Sequence, residues 1–523
     1  MRTTDVPVLV VGGGAAGTML TLELARRGVE ARTIDRLPAP GAESRAITVH
    51  ARMLEIFECI DKDLAARYLE RGIRNKGYVL HFVDAAGRRT EVRPGLDFTT
   101  LDSRYPFLLV HGQSDTENHI RDYTRERYGR ATEWSTQCVG IEQDADGVTA
   151  TLVHLDRNDE RETVRCRHLV ACDGINSRVR RWLDLPQDES EYKGTVLQNL
   201  DAYLHGFPDW DDYVHYCAGT DHFVMVVKLP GGYYRMLVSD RGETAADPNV
   251  TPEAAIMRLV TKHFDGVTIG DTVWHSKWQS WVRLAKDYRA GNVFIAGDAA
   301  HVHSTTGGQG MNCCMQDAYN LGWKLAMVVQ GAAKPELLET YATERRPIAE
   351  QVIWAASSLH EIFMGHGKDI AERARKIEDR EYLAAVVGRC SGLSYTYRDH
   401  VPKPAGQAAV EGPAIGDRAP DATLSNGRAV FDFFRHTGFT LLALPAGVRS
   451  AAATDEAVRS MTARFGAVLR SHDVPHAPEV AKHYGTSARD RLFLVRPDGY
   501  VGYACYADEA DLLATHLATY LRF

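Results

Sequence analysis

A glycine-rich turn between a strand and a helix constrains the fold of this chain more than any other feature. Residues 6–11 (VPVLVV) form a short apolar run typical of a buried parallel strand, and residues 12–17 (GGGAAG) follow it directly. A helical pattern then runs to Arg27, and a second strand-like run, residues 29–35, ends at Asp35. A G-x-G-x-x-G turn in this setting predicts a dinucleotide-binding β-α-β unit.

Each part of this glycine fingerprint, residues 12–17, has a chemical role. Gly12 permits the tight turn, Gly14 lets the backbone approach a pyrophosphate, and Gly17 lets helix and strand pack closely. The start of the helix offers free N–H groups and a partial positive charge to the phosphates. Asp35 is placed to accept hydrogen bonds from a ribose. The fingerprint by itself does not distinguish FAD from NAD.

Two later strand-like runs also end in an aspartate. Residues 168–171 lead to Asp173, and residues 291–296 lead to Gly297 and Asp298. Because ligands of open parallel sheets lie at the carboxyl ends of strands, we expect Asp173 and Asp298 beside the glycine fingerprint. Residues 306–312 (TGGQGMN) then lead into a helix around Gln316, whose start offers N–H groups to an anion.

Composition excludes several classes of partner. The chain has 523 residues and a net charge of -8, so it has room for several domains and no electrostatic reason to bind nucleic acid or a membrane. Nothing resembles a signal peptide or a transmembrane run. The nine cysteines lack framework spacing, and the adjacent pair Cys313-Cys314 suits neither zinc nor an ordinary disulfide. We therefore expect a cytoplasmic protein without a metal site.

The sequence pattern predicts an α/β protein of three units. Residues 1–71, 102–192 and 281–400 are predicted to form a discontinuous dinucleotide-binding domain. Residues 72–101 and 193–280 alternate apolar and polar residues and carry many aromatic ones, which predicts an inserted, mostly antiparallel sheet. Pro230-Gly231-Gly232 is a hairpin signal within it. After a linker at 401–420, residues 414–523 form a small α/β unit.

These motifs together resemble the para-hydroxybenzoate hydroxylase family of single-component FAD-dependent aromatic hydroxylases. The closest similarity is to the phenol-hydroxylase-like branch, which includes polyketide hydroxylases and carries a thioredoxin-like C-terminal domain. The resemblance runs from Val6 to about Pro347, and residues 283–285 (RLA), Tyr288 and residues 317–324 (DAYNLGWK) also fit it. It implies a Rossmann-like FAD-binding domain of the GR2 type, with the inserted sheet forming the substrate domain.

The resemblance also implies which residues hold FAD. Asp35 and Arg36 would lie at the adenosine end and Val139 by the adenine, while Gln113 and Asp298 would contact the ribityl chain. Backbone N–H groups of residues 310–312 would face the N1 and O2 edge of the flavin. The full implied set is Gly12, Gly14, Ala16, Gly17, Asp35, Arg36, Arg45, Gln113, Val139, Asp173, Asp298, Gly310, Met311 and Asn312.

Two departures from the family pattern concern the face of the flavin where substrate binds. Thr305 stands where the family usually has proline, and Cys313-Cys314 stands where small residues are usual. We expect these changes to affect pocket geometry rather than FAD binding, with both thiols packed in the interior. Arg45, Thr305 and Gly308 are the residues that the resemblance places at the reacting face.

The substrate is expected between the flavin and the inserted sheet. Strand alternation separates Met225 from His222 on opposite faces, but the sequence leaves open which face meets the flavin. The predicted substrate contacts are His215, Tyr216, Met225, Tyr233, Arg235 and Trp281, with His222 and Trp278 as further candidates.

The resemblance implies hydroxylation of an aromatic, phenol-like or natural-product substrate with NAD(P)H and O2 through a flavin C4a-hydroperoxide. No second dinucleotide fingerprint is present, so NADPH or NADH would bind transiently and the choice stays open. Alternatives are epoxidation or Baeyer-Villiger oxygenation on the same fold, and a non-catalytic protein that binds FAD and an aromatic ligand. The C-terminal unit lacks Cys-x-x-Cys, which favours a structural role or a homodimer interface.

Overall fold

The computed structural model describes residues 2–208, 212–240, 250–365, 369–401, 409–446 and 451–522. Part of the predicted linker, residues 402–408, lies outside the described residues. In the described residues, none of the helices combines the length and the apolar character needed to cross a bilayer.

The strands, in chain order, are β1 (Arg2–Val11), β2 (Ala31–Ile34), β3 (Thr48–Val49), β4 (Ile73–Asn75), β5 (Gly77–Val83), β6 (Arg89–Asp97), β7 (Leu108–Val110), β8 (Thr132–Glu133), β9 (Thr136–Asp144), β10 (Gly147–His154), β11 (Glu160–Ala171), β12 (Gln187–His205), β13 (Tyr213–Ala218), β14 (His222–Lys228), β15 (Tyr234–Asp240), β16 (Thr268–Ala285), β17 (Arg289–Ala290), β18 (Val293–Ile295), β19 (His301–Val302), β20 (Phe439–Leu444), β21 (Leu469–Asp473), β22 (Arg491–Val495) and β23 (Val501–Tyr506).

The α-helices are α1 (Ala15–Ala25), α2 (Ala51–Ile60), α3 (Lys62–Arg71), α4 (Gln113–Tyr128), α5 (Arg178–Trp182), α6 (Pro252–Val260), α7 (Gly310–Val329), α8 (Glu339–Met364), α9 (Ile370–Arg375), α10 (Arg380–Cys390), α11 (Ala451–Phe465), α12 (Pro478–Tyr484) and α13 (Ala510–Tyr520).

The first sheet has the order β17-β18-β11-β1-β2-β8, with β10 and β9 continuing from β11. Strands β2, β1, β11 and β18 pair in parallel, which confirms the α/β fold class. Val11 is paired with both Ile34 and Ala171, and Ala171 with Ile295. These strands therefore end at one edge, which carries the glycine fingerprint, Asp35, Asp173 and Asp298.

The second sheet has the order β19-β16-β12-β15-β14-β13-β5-β6. It is mostly antiparallel, except that β13 runs parallel to β5. Gly231 and Gly232 turn the β14–β15 hairpin at φ of 100° and 86°, which only glycine adopts readily. Strands β12 and β16 run through the predicted domain boundaries at 192/193 and 280/281, so the two units are joined within continuous strands.

Helix α7 begins at Gly310, six residues before the predicted start at Gln316. Gly307 and Gly308 have φ of 88° and 65° and make the turn that precedes it, and the N–H of Cys313 already donates to the carbonyl of Gln309. The earlier start means that the first residues of α7 reach the same sheet edge as the glycine fingerprint.

The C-terminal unit is a four-stranded sheet of order β21-β20-β22-β23. Strands β20 and β21 are parallel, β22 is antiparallel to β20, and α11–α13 belong to the same segment. This arrangement agrees with the thioredoxin-like fold expected there. The turn at Pro497-Asp498 contacts α7, since Tyr319 donates a hydrogen bond to the carbonyl of Pro497.

Candidate active site

A cavity of about 400 Å³ lies between the carboxyl edge of the first sheet and one face of the second sheet. It joins the two surfaces that the sequence assigned to cofactor and substrate. The predicted site residues that line it are Gly14, Ala16, Arg45, Gln113, Tyr216, Met225, Arg235, Trp278, Trp281, Asp298, Thr305, Gly308, Gly310 and Met311.

The glycine fingerprint is packed at two positions and open at a third. A Cβ at Gly12 would lie 2.3 Å from the carbonyl oxygen of Cys172, and one at Gly17 would lie 1.8 Å from the carbonyl oxygen of Gly12. At Gly14 the nearest atom would be 3.9 Å away, on Glu117. Gly12 and Gly17 thus allow tight packing, while Gly14 exposes its backbone to the cavity.

The residues predicted for the adenosine end lie outside this cavity. Asp35 accepts hydrogen bonds from the N–H groups of Gly13 at 2.7 Å and Leu37 at 2.9 Å, so it also braces the fingerprint. Arg36 is exposed and Val139 is half-buried on β9. Their contacts with adenosine stay a prediction. An extended cofactor that runs along the sheet edge could reach them from the cavity.

The two carboxylate oxygens of Asp173 differ, because only one of them accepts hydrogen bonds from the protein. Its Oδ2 accepts hydrogen bonds from the N–H groups of Arg178 at 2.8 Å and Val179 at 3.3 Å, at the start of α5. Its Oδ1 is buried and has no hydrogen-bond partner among the described residues. A buried carboxylate oxygen without a partner fits a site that a polar ligand completes.

The start of α7 turns uncapped N–H groups toward the cavity. No side chain caps the first N–H groups of the helix, and Gly310 and Met311 line the cavity. Asn312 plays a different part, because its side chain donates to the carbonyls of Thr48 at 2.9 Å and Gly308 at 3.1 Å and accepts from the N–H of His50. Asn312 therefore fastens the glycine-rich loop to β3 and to the start of α2.

Asp298 stands in a turn that a buried charge network holds. Asp317 accepts hydrogen bonds from the N–H of Gly297 at 3.1 Å, from His301 at 2.6 Å and from Arg345 at 2.7 Å. Burial raises the pKa of Asp317, but His301 and Arg345 bring it below its ordinary value. The turn is thus fixed, and the Asp298 side chain is exposed to the cavity.

The adjacent cysteines face different surroundings. Cys314 lines the cavity, and its thiol lies 3.3 Å from Oδ1 of Asp298. Cys313, His301 and Asp317 place possible metal ligands within 4.8 Å of one another. The guanidinium of Arg345 already binds Asp317, so this trio suits an internal ion pair rather than a cation.

The second sheet presents Tyr216, Met225 and Trp278 to the cavity. His215 and His222 lie on the opposite face, where His215 bonds to His81 at 3.0 Å and His222 to His263 at 2.9 Å. Their prediction as substrate contacts is corrected, because strand alternation turns them away from the cavity.

Two further predicted contacts change role. Tyr233 precedes β15 in the hairpin and does not line the cavity; its ring packs against Tyr203. Arg235 does line it, but the guanidinium binds both carboxylate oxygens of Asp201, at 2.6 and 2.7 Å, and donates to the carbonyls of Ser44 and Arg45. Arg235 therefore holds the loop that carries Arg45.

Not every residue that lines the cavity was singled out from the sequence, and two of those missed carry unsatisfied polar atoms. Asn199 on β12 and His303 after β19 line the cavity, and each has buried side-chain atoms without a hydrogen-bond partner among the described residues. The only available signal for His303 was its position two residues before Thr305. Asn199 lay in an alternating strand whose orientation the sequence left open.

The residues present fit FAD. Gly14 and the uncapped start of α7 supply N–H groups for a pyrophosphate and for the acceptor edge of a flavin, and Asp298 supplies a carboxylate for hydroxyl groups. The open backbone at Gly14 and the unpartnered oxygen of Asp173 both favour a bound ligand along this edge.

Comparison with known proteins agrees with this geometry. Residues 5–356 match the family of FAD binding domains, and residues 412–522 match the C-terminal domain of aromatic-ring hydroxylases. The chain is 38% identical to pentachlorophenol 4-monooxygenase of Sphingobium chlorophenolicum, over 98% of this chain and 96% of that protein.

Solved structures show the same fold over 99% of the chain. The anhydrotetracycline hydroxylase OxyS of Streptomyces rimosus is 28% identical, with a TM-score of 0.78 and 99% of both chains covered. Aklavinone-11 hydroxylase, solved with FAD and aklavinone, is 25% identical with the same TM-score and the same coverage. The matched segments include the fingerprint, both aspartate turns and the C-terminal unit. The chain therefore belongs to the FAD-dependent aromatic-ring hydroxylases, a family of monooxygenases.

Proposed function

We propose that this monooxygenase hydroxylates a phenol with a single aromatic ring. The supporting observation is the cavity of about 400 Å³, a volume within the range of small-molecule sites. Its walls at Tyr216, Met225 and Trp278 are mostly apolar and suit a flat ring. The relative named pentachlorophenol 4-monooxygenase also favours a one-ring substrate.

The roles of the residues follow from their positions. FAD, when bound, would supply the chemistry with O2, and NADPH or NADH would be the reductant. Gly14, Asp298 and the start of α7 would hold it, and Arg45 would add positive charge beside it. The apolar wall would orient the substrate ring and keep water out of the reacting space. Thr305 and Gly308 line the same space and would border the ring.

A panel of substrates tests the proposal. The FAD-loaded protein is incubated with NADPH, O2 and either one-ring phenols or four-ring hydroxyquinones, and products are analysed by mass and NMR. We expect a gain of one oxygen on the ring of one-ring phenols. Turnover of only the four-ring compounds, ester formation from a ketone, epoxide formation from an alkene, or NADPH oxidation without oxygen transfer to any compound would contradict it.

Replacing Asp298 by alanine should weaken FAD binding about tenfold, because ligand hydroxyls would lose a charged acceptor. The measurement is the dissociation constant of FAD from fluorescence quenching. Asp271→Ala is the matched control, since Asp271 is exposed on β16 and away from the cavity. Equal affinities for FAD in the two variants would remove Asp298 from the cofactor site.

We also propose that the enzyme works in the cytoplasm, with a homodimer as its assembly. All nine cysteines are free, which suits a reducing compartment. Fractionation of the source cells and light scattering of the purified protein test the two statements separately.

A further inference from the structure

His303 is the cavity residue whose chemistry the proposed function leaves unused. It follows β19, precedes Ser304 and Thr305, and is only 9% exposed. Among the described residues that line the cavity, only Asn199 and His303 have buried side-chain N or O atoms without a hydrogen-bond partner. For His303 that atom is Nε2.

The hydrogen bond at the other ring nitrogen fixes the tautomer of His303. Nδ1 lies 2.9 Å from the carbonyl oxygen of Ser304, which only accepts, so Nδ1 carries the hydrogen. Burial lowers the pKa of His303 to about 4, so the ring is neutral at pH 7. Nε2 therefore has a lone pair and no hydrogen.

A buried acceptor without a partner is unfavourable, and a ligand that donates a hydrogen bond removes that cost. The N1 and O2 atoms of a flavin, which only accept hydrogen bonds, cannot supply this donor. A Cβ on Gly310 would lie 3.9 Å from the His303 ring, so the ring is close to the start of α7. The N–H groups there suit the acceptor edge of a flavin, whereas Nε2 of His303 requires a group of opposite character.

We propose that His303 binds the substrate by accepting a hydrogen bond at Nε2 from the phenolic hydroxyl. This inference rests on the proposed function, which makes the ligand a phenol. The hydrogen bond leaves more negative charge on the substrate oxygen and so more electron density at the ring carbons ortho and para to it. It also selects ligands that carry a hydroxyl over ligands of the same shape that lack one.

Phenol and toluene test this selection, since a methyl group replaces the hydroxyl with little change in shape. Their dissociation constants are measured on the FAD-loaded protein without NADPH, from the change in flavin absorbance. We expect His303→Leu to lower the preference for phenol over toluene about tenfold, and His303→Asn, which keeps an acceptor, to lower it less. Met225→Leu is the control, because it alters the apolar wall and should shift both ligands together.

Several results would overturn the assignment. An unchanged preference in His303→Leu would show that the hydroxyl binds elsewhere, and equal weakening of both ligands would assign His303 to the fold. If His303→Leu does not hold FAD, His303→Phe, which keeps a ring, takes its place; loss of FAD in both assigns His303 to the cofactor. If the wild-type protein hydroxylates phenols without preferring phenol to toluene, only this inference fails. If it transfers no oxygen to phenols, the proposed function fails.

Discussion

Replacing Glu344 by glutamine should lower the free energy of unfolding by about 3–5 kcal/mol, because it leaves the buried Lys324 without its carboxylate partner and leaves Arg496 with Asp498 alone. Glu344 on α8 is 1% exposed. Its carboxylate accepts hydrogen bonds from Arg496 at 2.7 and 2.8 Å and from Lys324 at 2.8 Å. Burial raises the pKa of Glu344, but Arg496 and Lys324 bring it well below its ordinary value, so the group is charged.

The same substitution should release FAD at lower denaturant concentration. Lys324 belongs to α7, whose first residues line the cavity, and Arg496 belongs to the C-terminal unit. The network therefore ties the C-terminal unit to the helix that begins at the cofactor site. Chemical denaturation followed by circular dichroism and flavin fluorescence measures both effects.

Glu350→Gln is the matched control on the same helix. Glu350 forms an exposed pair with Arg346 at 2.8 Å, and such pairs contribute only about 0.3–0.5 kcal/mol. Similar losses in the two variants would show that the buried network does not stabilise the fold beyond a surface pair.

Features that depend on neighbouring residues in the chain were predictable from the sequence. At Gly12 and Gly17 a Cβ would collide with a backbone carbonyl oxygen, so only glycine fits there. The glycine pattern in the sequence therefore predicts the close packing of this turn. The last residues of β11 and the whole of β18, which precede Asp173 and Asp298, are apolar, and their parallel pairing follows from the β-α-β pattern. The α/β class, the cofactor edge and the family all follow from these local signals.

Features that depend on which face of a strand is covered were not predictable. Alternation along β13 and β14 separates Tyr216 and Met225 from His215 and His222, but both sets are buried, one against the cavity and one against other side chains. Hydrophobicity therefore gave no reason to prefer either face. The sequence likewise could not predict that Nε2 of His303 lacks a hydrogen-bond partner, because this depends on which residues surround the cavity.

Contacts between residues that are far apart in the sequence were also not predictable. Arg235, a residue of the second sheet, is 190 positions away from Arg45 in the loop that it holds. In the sequence, an arginine among aromatic residues of a predicted substrate sheet can be explained equally well by a ligand contact or by hydrogen bonds within the protein. Only the structure shows that the donors of Arg235 are already engaged.

Replacing Arg235 by methionine should lower stability by about 3–5 kcal/mol and hydroxylation more than tenfold. Arg235 is 1% exposed, and its loss leaves the buried carboxylate of Asp201 without a counter-charge. It also removes the donor to the carbonyls of Ser44 and Arg45, so the loop that carries the Arg45 side chain loses its support. Arg258→Met, on the exposed side of α6, is the control for loss of an arginine.

A second substitution separates the two effects of Arg235. In the double variant Arg235→Met with Asp201→Asn, the unpaired charge is gone, so most of the lost stability should return. Hydroxylation should stay low, because the carbonyls of Ser44 and Arg45 still lack a donor. Recovery of both properties would mean that Arg235 only neutralises Asp201. Stability is measured by denaturation and hydroxylation by steady-state product formation. Recovery of stability alone would show that Arg235 also positions the loop that carries Arg45.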